Sequence, residues 1–442
     1  MTVSGNSTAI VISADSRGFK FWTAVVLTGV GTGVSAAALY LLFQWVQHAA
    51  WPGEGTIVQS AANASFSRHV LILLGAGVLT GLGQLLLSGL SSGNGIDINA
   101  AIWFSAGRLP AIRTLGSAVL SIFLVGMGVS LGREGAPKQA GAVIGNWLAD
   151  GAKLSDEQRR LLVACGAGAG MAAAYGVPLG GALFSLEVLR GVLALRLVLP
   201  ALMASTVASL VAWTVVPNDP LYIFPVYEMS ASVVVWSLVM GPLAGLVSVG
   251  YVRAIAWADR HKPKGWKRIA APLLVMSIFG AVSFPFPQLL GNGQAVSELA
   301  FKGDVGAWIL LCVLILKPLA TVMSIRSGAP GGLFTPSLTV GAMLGGLLGY
   351  GWSLLWPGPP AGLYSVLGAA AMLAATTQGP ISTVVLIFEL TGHNRSFIAP
   401  MLLAVTTATL VARIIEPRSI YDAKLNDAQV AARIAARAPS SA

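Results

Sequence analysis

The 442-residue chain is strongly apolar, since 55% of its residues are hydrophobic and only 10% are charged. Its mean hydropathy is +0.77. A soluble domain carries about 25% charged residues, so the composition excludes an ordinary soluble enzyme or binding domain. It predicts an all-α polytopic membrane protein in contact with lipid, because apolar helices of about 20 residues are the usual way for a chain to span a bilayer.

The formal net charge of +10 is carried mainly by a few short basic segments. These are residues 17–20, 159–160, 253–268 and 413–437. By the positive-inside rule we expect these segments, and both termini, to face the cytoplasm. The segments 51–67 and 217–228 contain neither Lys nor Arg, and we expect them outside. The charge therefore indicates orientation in a membrane and no nucleic-acid partner.

Long runs without charged residues follow one another along the chain. They cover residues 21–46, 70–96, 114–132, 161–186, 197–217, 229–252, 269–296 and 327–388. The last run is long enough for several spanning segments, but prolines and glycines interrupt it, so we predict tilted, broken and partial helices there. Such helices are tolerated only where protein or water covers the freed backbone groups. The polar first 15 residues lack the apolar core of a cleaved signal peptide, and we expect none.

A charged pair, Arg133 and Glu134, interrupts an apolar stretch within the segment 132–137, Gly-Arg-Glu-Gly-Ala-Pro. A carboxylate at membrane depth is costly and marks a functional site by default. The residues that follow fit an α-helix, and Pro137 suits the first turn because the N–H groups of that turn have no partner within the helix. A helix N-terminus attracts anions. We therefore predict that Glu134 occupies a position where a free anion also binds, and that the two compete.

The two halves of the chain resemble each other at an offset of about 200 residues. Pro137 and Pro336 lie 199 residues apart, and Glu187 and Glu389 lie 202 apart. We predict a cytoplasmic segment 1–19, a transmembrane domain 20–425 with repeats at about 20–215 and 225–425, and a cytoplasmic tail 426–442. In transporters such repeats are often inverted across the membrane, with the substrate held at the N-termini of interrupted helices.

Three motifs then point to a family. From about residue 20 to residue 425 the chain resembles the CLC family of chloride channels and chloride/proton antiporters. The family pattern Gly-Arg-Glu-Gly-Pro appears in residues 132–137 with its proline shifted by one place, and Gly-x-Phe-x-Pro is intact in residues 332–336. Residues 419–421, Ser-Ile-Tyr, look like the segment that carries an anion-coordinating tyrosine. The resemblance implies the CLC-type inverted repeat of tilted and broken helices, in a homodimer with one pore per subunit.

The resemblance also implies roles for individual residues. Glu134 is then the gating glutamate, whose carboxylate occupies an anion site when ionised and leaves it when protonated. Leu333 and Phe334 supply backbone amides, and Tyr421 supplies its hydroxyl, to a central anion. The other residues of the implied anion site are Asn94, Gly95, Ile96, Gly135 and Ala136. Neutral donors suit such a site, because a full countercharge holds a halide too tightly for rapid exit.

The implied activity is transport of chloride or a similar small anion in exchange for protons, without enzymatic chemistry, a cofactor or a metal. Two departures from the family pattern leave alternatives open. Asn94 stands where the family has a coordinating serine, which favours a fluoride/proton antiporter. Val188 stands where many antiporters carry an internal proton-transfer glutamate, which favours a passive chloride channel gated by voltage or pH. A sensor or scaffold with an inactive transporter fold remains, and the retained motif residues disfavour it.

The other charged residues of the apolar segments have structural interpretations. We expect Arg133 to pair with a carboxylate or with loop carbonyls, and Lys317 to pair with carbonyls. Glu187 and Glu389 are expected to bind helix ends, with a proton role for Glu187 left open. Lys138, four residues after the gating glutamate, either stabilises the ionised carboxylate or extends to water, and we favour water. The two cysteines are expected to be buried free thiols, and the four histidines lack metal-ligand spacing.

Overall fold

The computed structural model describes residues 16–89, 97–356, 358–392, 397–423 and 425–437. Within these residues the chain is helical and forms no β-strand, which confirms the predicted all-α class. The first half contains α1 (Ser16–Ala50), α2 (Ile57–Ala62), α3 (Phe66–Gly89), α4 (Ile98–Phe104), α5 (Ala111–Gly126), α6 (Gly135–Gly151), α7 (Asp156–Tyr175), α8 (Pro178–Phe184), a π-helical turn (Ser185–Arg190) and α9 (Leu195–Ala212). The second half contains α10 (Ala231–Arg260), α11 (Lys267–Ser283), a 3₁₀ turn (Pro287–Leu289), α12 (Gln294–Lys302), α13 (Ala307–Ser327), α14 (Phe334–Leu355), α15 (Ala361–Thr377), α16 (Pro380–Leu390), α17 (Ile398–Ile415) and α18 (Asp427–Arg437).

Among the described helices, seven are long and apolar enough to cross a membrane. They are α1, α3, α9, α10, α13, α14 and α17. Other apolar helices are shorter, such as α15 with 17 residues and α16 with 11. The uncharged run 327–388 holds α14, α15 and most of α16, so the prediction of several interrupted segments is confirmed. The chain is therefore a multi-pass membrane protein with partial helices.

The two halves use the same helix pairs. In the first half α1 packs on α9, and a Cβ atom at Gly33 would lie 2.6 Å from the carbonyl oxygen of Ala208. In the second half α10 packs on α17, and a Cβ atom at Gly245 would lie 2.7 Å from the carbonyl oxygen of Ala408. Small residues at such crossings let helix backbones approach closely in lipid. The repeat seen in the sequence is therefore also a repeat of packing.

The halves meet at an antiparallel bridge between Gly132 and Gly332. Each of these glycines donates its N–H to the carbonyl oxygen of the other at 2.7 Å. Such an exchange relates the two backbones by a local two-fold axis. Because α6 and α14 begin three and two residues after the bridge, the two helices start from the same place in the molecule. This is the arrangement expected of inverted repeats.

Glu187 and Glu389 join the halves a second time. The Glu187 carboxylate accepts the backbone N–H groups of the second and third residues of α16, at 3.1 and 2.6 Å. The Glu389 carboxylate accepts those of the second and third residues of α8, also at 3.1 and 2.6 Å. A carboxylate at a helix N-terminus satisfies otherwise unpaired donors and complements the helix dipole. The prediction that both glutamates bind helix ends is confirmed.

The segment predicted as a cytoplasmic tail contains α18, which is docked on the membrane domain. Arg433 of α18 is only 2% exposed. Its guanidinium pairs with the carboxylate of Asp422, donates to the carbonyl oxygen of Val188 at 2.7 Å and lies 5.3 Å from the centre of the Trp103 ring. Helix α18 therefore packs next to Val188, the position at which the family resemblance leads us to expect an internal proton-transfer glutamate.

Candidate functional site

Glu134 lies immediately before the first residue of α6, and its side chain is fully buried. The side chain does not cap its own helix. Its Oε1 instead accepts the backbone N–H of Phe334, the first residue of α14, at 2.7 Å. The N-terminus of a helix carries unpaired N–H groups and a partial positive charge, so α14 stabilises an anionic group at this position. The structure therefore brings together two residues that the sequence motifs singled out separately.

Two neutral hydroxyl groups hold the other carboxylate oxygen of Glu134. Tyr175 and Thr335 donate to Oε2 at 3.1 and 3.3 Å, and their hydroxyl oxygens lie 2.7 Å apart. Sequence reasoning missed both residues. Thr335 occupies the variable position of the Gly-x-Phe-x-Pro motif, and its hydroxyl next to an amide donor was a usable signal. Tyr175 ends α7 and reaches the carboxylate only because α7 packs on α6.

The glycines of the bridge leave the room that the Glu134 carboxylate occupies. A Cβ atom at either Gly132 or Gly332 would lie 2.1 Å from a carboxylate oxygen. That separation is far inside van der Waals contact, so any larger residue at these positions displaces the carboxylate. Both halves of the repeat thus contribute a glycine to one compartment for a single acidic side chain.

A cavity of about 460 Å³ opens beside the N-termini of α6 and α14. Of the predicted site residues, Gly135, Leu333 and Tyr421 line this cavity. Ala136 is fully buried in the apolar core. Three further predicted residues lie outside the described part of the chain, namely Asn94, Gly95 and Ile96. The structure therefore gathers predicted residues from α6, α14 and the C-terminal segment around one space.

Charged side chains of the cavity wall are mainly basic. Basic residues that line it are Arg113, Lys138, Arg260, Lys262, Lys264 and Arg268, and acidic ones are Asp97 and Asp259. A cleft with charge of one sign and low-dielectric walls focuses its field and concentrates small ions of the opposite sign. The cavity is therefore suited to collecting small anions and leading them towards Leu333 and Tyr421.

Tyr421 and Lys138 meet at the wall of this cavity. The Lys138 Nζ donates to the Tyr421 hydroxyl oxygen at 3.3 Å and lies 4.5 Å from the centre of the Tyr421 ring. The Phe184 ring packs edge-on against Tyr421 at 5.4 Å. Lys138 is only 5% exposed, so the expectation that it extends to water is wrong. Its ammonium is held between aromatic rings because α6 turns this side chain towards Tyr421.

Two other cations within the apolar segments serve the fold. Lys317 donates to the carbonyl oxygens of residues 289 and 291 at 2.8 and 2.7 Å, which confirms the predicted pairing with carbonyls. The Arg133 guanidinium lies among aromatic rings, 5.3 Å from the centre of Phe43 and 5.5 Å from that of Tyr175. Cations are attracted to the faces of aromatic rings, so this arginine braces the residue that also donates to Glu134.

Comparison with known proteins agrees with the sequence motifs. The sequence model of the voltage-gated chloride channel family matches residues 76–413. A protein described as a ClcB-like chloride channel from Ralstonia nicotianae is 32% identical over 379 residues, which cover 83% of this chain and 87% of the relative. The H⁺/Cl⁻ exchange transporter ClcA of Vibrio parahaemolyticus is 29% identical over 316 residues, covering 68% of this chain and 67% of the relative.

The fold is also that of a solved structure. The crystal structure of a slow cyanobacterial Cl⁻/H⁺ antiporter matches with a TM-score of 0.78 at 23% identity, covering 95% of this chain and 99% of the other. The family match spans most of the chain, and the helical architecture extends the likeness to nearly all of it. This protein therefore belongs to the voltage-gated chloride channel family, the CLC family.

Proposed function

We propose that this protein transports chloride, or a similar small anion, across the bacterial inner membrane in exchange for protons, and that it is a transporter and not an enzyme. The observation that carries the proposal is the environment of the Glu134 carboxylate. One backbone amide and two hydroxyls hold it. Neutral donors of this kind replace the hydration shell of a halide, so the ionised side chain and an anion compete for the same groups.

Competition for these donors couples the two ions. Protonation of Glu134 removes its negative charge and weakens its charge-assisted hydrogen bonds, the shortest of which comes from the Phe334 amide. The neutral side chain then leaves, and the amide is released to an anion. When the side chain returns and ionises, it expels the anion. An anion that passes this point therefore exchanges with a proton carried by Glu134.

The basic cavity supports a cytoplasmic route to the site. Four of its basic residues belong to the segment 253–268, which the positive-inside rule assigns to the cytoplasm. The segment 413–437 carries further basic residues and obeys the same rule. We therefore place the cavity and both termini on the cytoplasmic side, with Leu333 and Tyr421 between the cavity and Glu134.

The names of the relatives support chloride as the anion, since one is a chloride/proton exchanger and the other is described as a chloride channel. A passive chloride channel is the second candidate. Val188 favours it, because this side chain is apolar, only 2% exposed and unable to carry a proton from the cytoplasm. Fluoride/proton exchange is the third candidate and depends on Asn94, which lies outside the described residues.

Each chain supplies a whole site. Glu134 comes from the first half and Phe334 from the second, and the two are joined directly. We therefore propose one complete pore per subunit, and not a pore shared between subunits, in the homodimer that the family resemblance implies.

Purified protein reconstituted in liposomes tests the proposal. Vesicles loaded with potassium chloride are diluted into low-chloride medium, and external chloride and external pH are recorded together. Exchange predicts that chloride efflux drives proton uptake against a proton gradient at a fixed ratio. Chloride efflux without proton movement supports the channel instead. Exchange of fluoride but not of chloride supports the third candidate, and no flux of either anion contradicts transport.

A further inference from the structure

Lys138 lies in the first turn of α6, four residues after Glu134, which immediately precedes the helix. Its side chain is 5% exposed, lines the cavity and reaches the Tyr421 hydroxyl oxygen at 3.3 Å. Its Nζ also lies 5.3 Å from the centre of the Phe184 ring. The Lys138 amino group therefore lies in the wall of the cavity, beside the hydroxyl of Tyr421, one of the predicted anion ligands.

We propose that Lys138 binds the transported anion directly through its ammonium group, next to the Tyr421 hydroxyl. This inference rests on the proposed function and deepens it, since it adds a binding residue that carries charge to a site of neutral donors. The ligand it fits is a small monovalent anion that has shed part of its hydration shell, such as chloride.

The hydrogen-bonding capacities of the two groups favour this assignment. An ammonium is a donor only, whereas a tyrosine hydroxyl both donates and accepts. In the contact between them the Tyr421 oxygen is therefore the acceptor, and the hydroxyl hydrogen of Tyr421 stays available for another acceptor. An anion that accepts this hydrogen lies beside the ammonium as well. One neutral donor and one charged donor then converge on the same ligand.

The position of the charge changes what is expected of the site. Neutral donors allow rapid exit of an ion, because conduction requires binding weak enough for release. A charged donor roughly doubles the strength of a hydrogen bond. Neutral donors alone therefore do not describe a site that includes Lys138. We expect tighter anion binding and slower release towards the cytoplasm than neutral donors alone provide.

Titration of the purified protein with sodium chloride, by isothermal titration calorimetry in chloride-free detergent buffer, tests the inference without any flux measurement. Lys138→Met keeps the length of the side chain and removes the charge, and we expect it to weaken chloride binding about 10- to 100-fold, as loss of a hydrogen bond to a charged group predicts. Lys138→Arg keeps the charge, and we expect affinity within about threefold of wild type.

Lys264→Met is the matched control, because this exposed lysine lines the same cavity and the variant changes the net charge equally. We expect it to leave the affinity nearly unchanged. A loss as large as that of Lys138→Met means that only the general field of the cavity matters, and it overturns the inference. If Lys138→Met does not purify as a folded protein, Lys138→Gln carries the same test and retains a donor for Tyr421.

Flux through liposomes gives an independent readout that a merely structural lysine does not produce. Weaker binding with faster release predicts that Lys138→Met raises both the chloride KM and the maximal turnover. A lower turnover at unchanged KM, or chloride affinity equal to that of wild type, contradicts direct binding. Wild-type vesicles that show no anion flux, although the protein binds chloride and Lys138→Met does not, refute the proposed transport and leave the binding role of Lys138 standing.

Discussion

The two helices that start at the Gly132–Gly332 bridge occupy equivalent places in the repeat but offer different groups. Before α6 the chain presents a side-chain carboxylate, Glu134, whereas at the same place in the second half it offers a backbone amide, that of Phe334. Glu187 and Glu389 show the opposite pattern, since both halves keep the same residue with the same pair of distances to backbone N–H groups. The equivalent positions that carry the same residue, Glu187 and Glu389, join the repeats. The equivalent positions that offer different groups, Glu134 and Phe334, form the candidate site.

Replacing Glu134, the acid that has no counterpart in the second half, should have the largest effect. Glu134→Gln keeps the shape of the side chain but can neither ionise nor carry a proton, so it cannot compete as an anion for the Phe334 amide. We expect proton uptake to fall to background while chloride efflux continues and becomes independent of pH. Simultaneous recording of chloride and pH in liposomes measures both quantities.

Glu389→Gln is the control for that variant, because it makes the same chemical change at a glutamate that binds a helix end. We expect it to retain proton coupling. If Glu134→Gln still takes up protons against a proton gradient, Glu134 is not the proton-carrying gate, and another acid of the membrane domain carries the proton.

Replacing Glu187 and Glu389 tests whether the acids that the two halves share have a structural role. Glu187→Ala and Glu389→Ala each leave two N–H groups at a helix N-terminus without their carboxylate, and the loss of such a cap costs about 0.5–2 kcal/mol. Because the two glutamates make matching contacts, we expect similar decreases in the thermal unfolding midpoint in detergent.

Flux measurements on the same two variants, Glu187→Ala and Glu389→Ala, decide whether Glu187 carries protons. A purely structural role predicts that the proton-to-chloride ratio stays at the wild-type value in both variants. If Glu187→Ala alone lowers the ratio, Glu187 is part of the proton route and replaces the acid that Val188 lacks.

Local sequence motifs were enough to find the Glu134 carboxylate and the Phe334 amide. Gly-Arg-Glu-Gly before a proline-containing turn specified a helix start at Gly135, and Gly-x-Phe-x-Pro specified the start at Phe334. Each motif reports backbone geometry within a few residues. The repeat offset of about 200 residues then indicated that the two starts face each other. The helical class followed from composition, because a bilayer leaves few other ways to satisfy backbone groups.

The contacts that sequence reasoning missed depend on packing between distant segments. Tyr175 lies 41 residues from Glu134 and donates to it across α6 and α7. Lys138 turns inward because Tyr421, 283 residues away, accepts its hydrogen bond. The docking of Arg433 on Val188 joins segments 245 residues apart. Periodicity and motif spacing describe one segment at a time, so they carry no information about which side chains meet across such separations.

Tyr175→Phe tests how firmly the acid is held, and its effect should be smaller. The variant removes one hydroxyl donor from Glu134 but leaves Thr335 and the Phe334 amide. One hydrogen bond contributes about 1 kcal/mol, which is roughly a fivefold change. We expect the carboxylate to leave more readily and chloride/proton exchange to become roughly fivefold faster, with the coupling ratio unchanged.

Initial rates of chloride efflux and proton uptake measure this change. Tyr227→Phe is a matched control, since its hydroxyl donates to the carbonyl oxygen of Phe301 at 2.6 Å and not to Glu134. Slower exchange in Tyr175→Phe, or equal rates in the two variants, contradicts the view that the Tyr175 hydroxyl restrains the gate.

The smallest expected effect concerns another difference between the halves, at the end of α17. Glu416 accepts hydrogen bonds from Arg253 and Arg418, each at 2.8 Å. Val216, 200 residues earlier, lies four residues after the end of α9 and is apolar. Partial burial by itself raises the pKa of Glu416, but the hydrogen bonds and charges of Arg418 and Arg253 outweigh it, so the pKa lies below its ordinary value of 4.5. The segment after α17 thus carries ion pairs, whereas the matching position of the first half carries an apolar side chain.

A carboxyl group whose pKa is lower in the folded state stabilises that state above its unfolded-state pKa, and the contribution is lost as the pH falls through the folded-state value. Glu416 therefore stabilises the fold at neutral pH and ceases to do so as the pH drops below 4.5. Since the Arg253 side chain is 56% exposed, the contribution should not exceed about 1 kcal/mol. Thermal unfolding midpoints of wild type and Glu416→Gln, measured in detergent across this pH range, should differ at neutral pH and converge in acid. A difference that stays constant with pH shows that the ionised carboxylate of Glu416 is not the stabilising group.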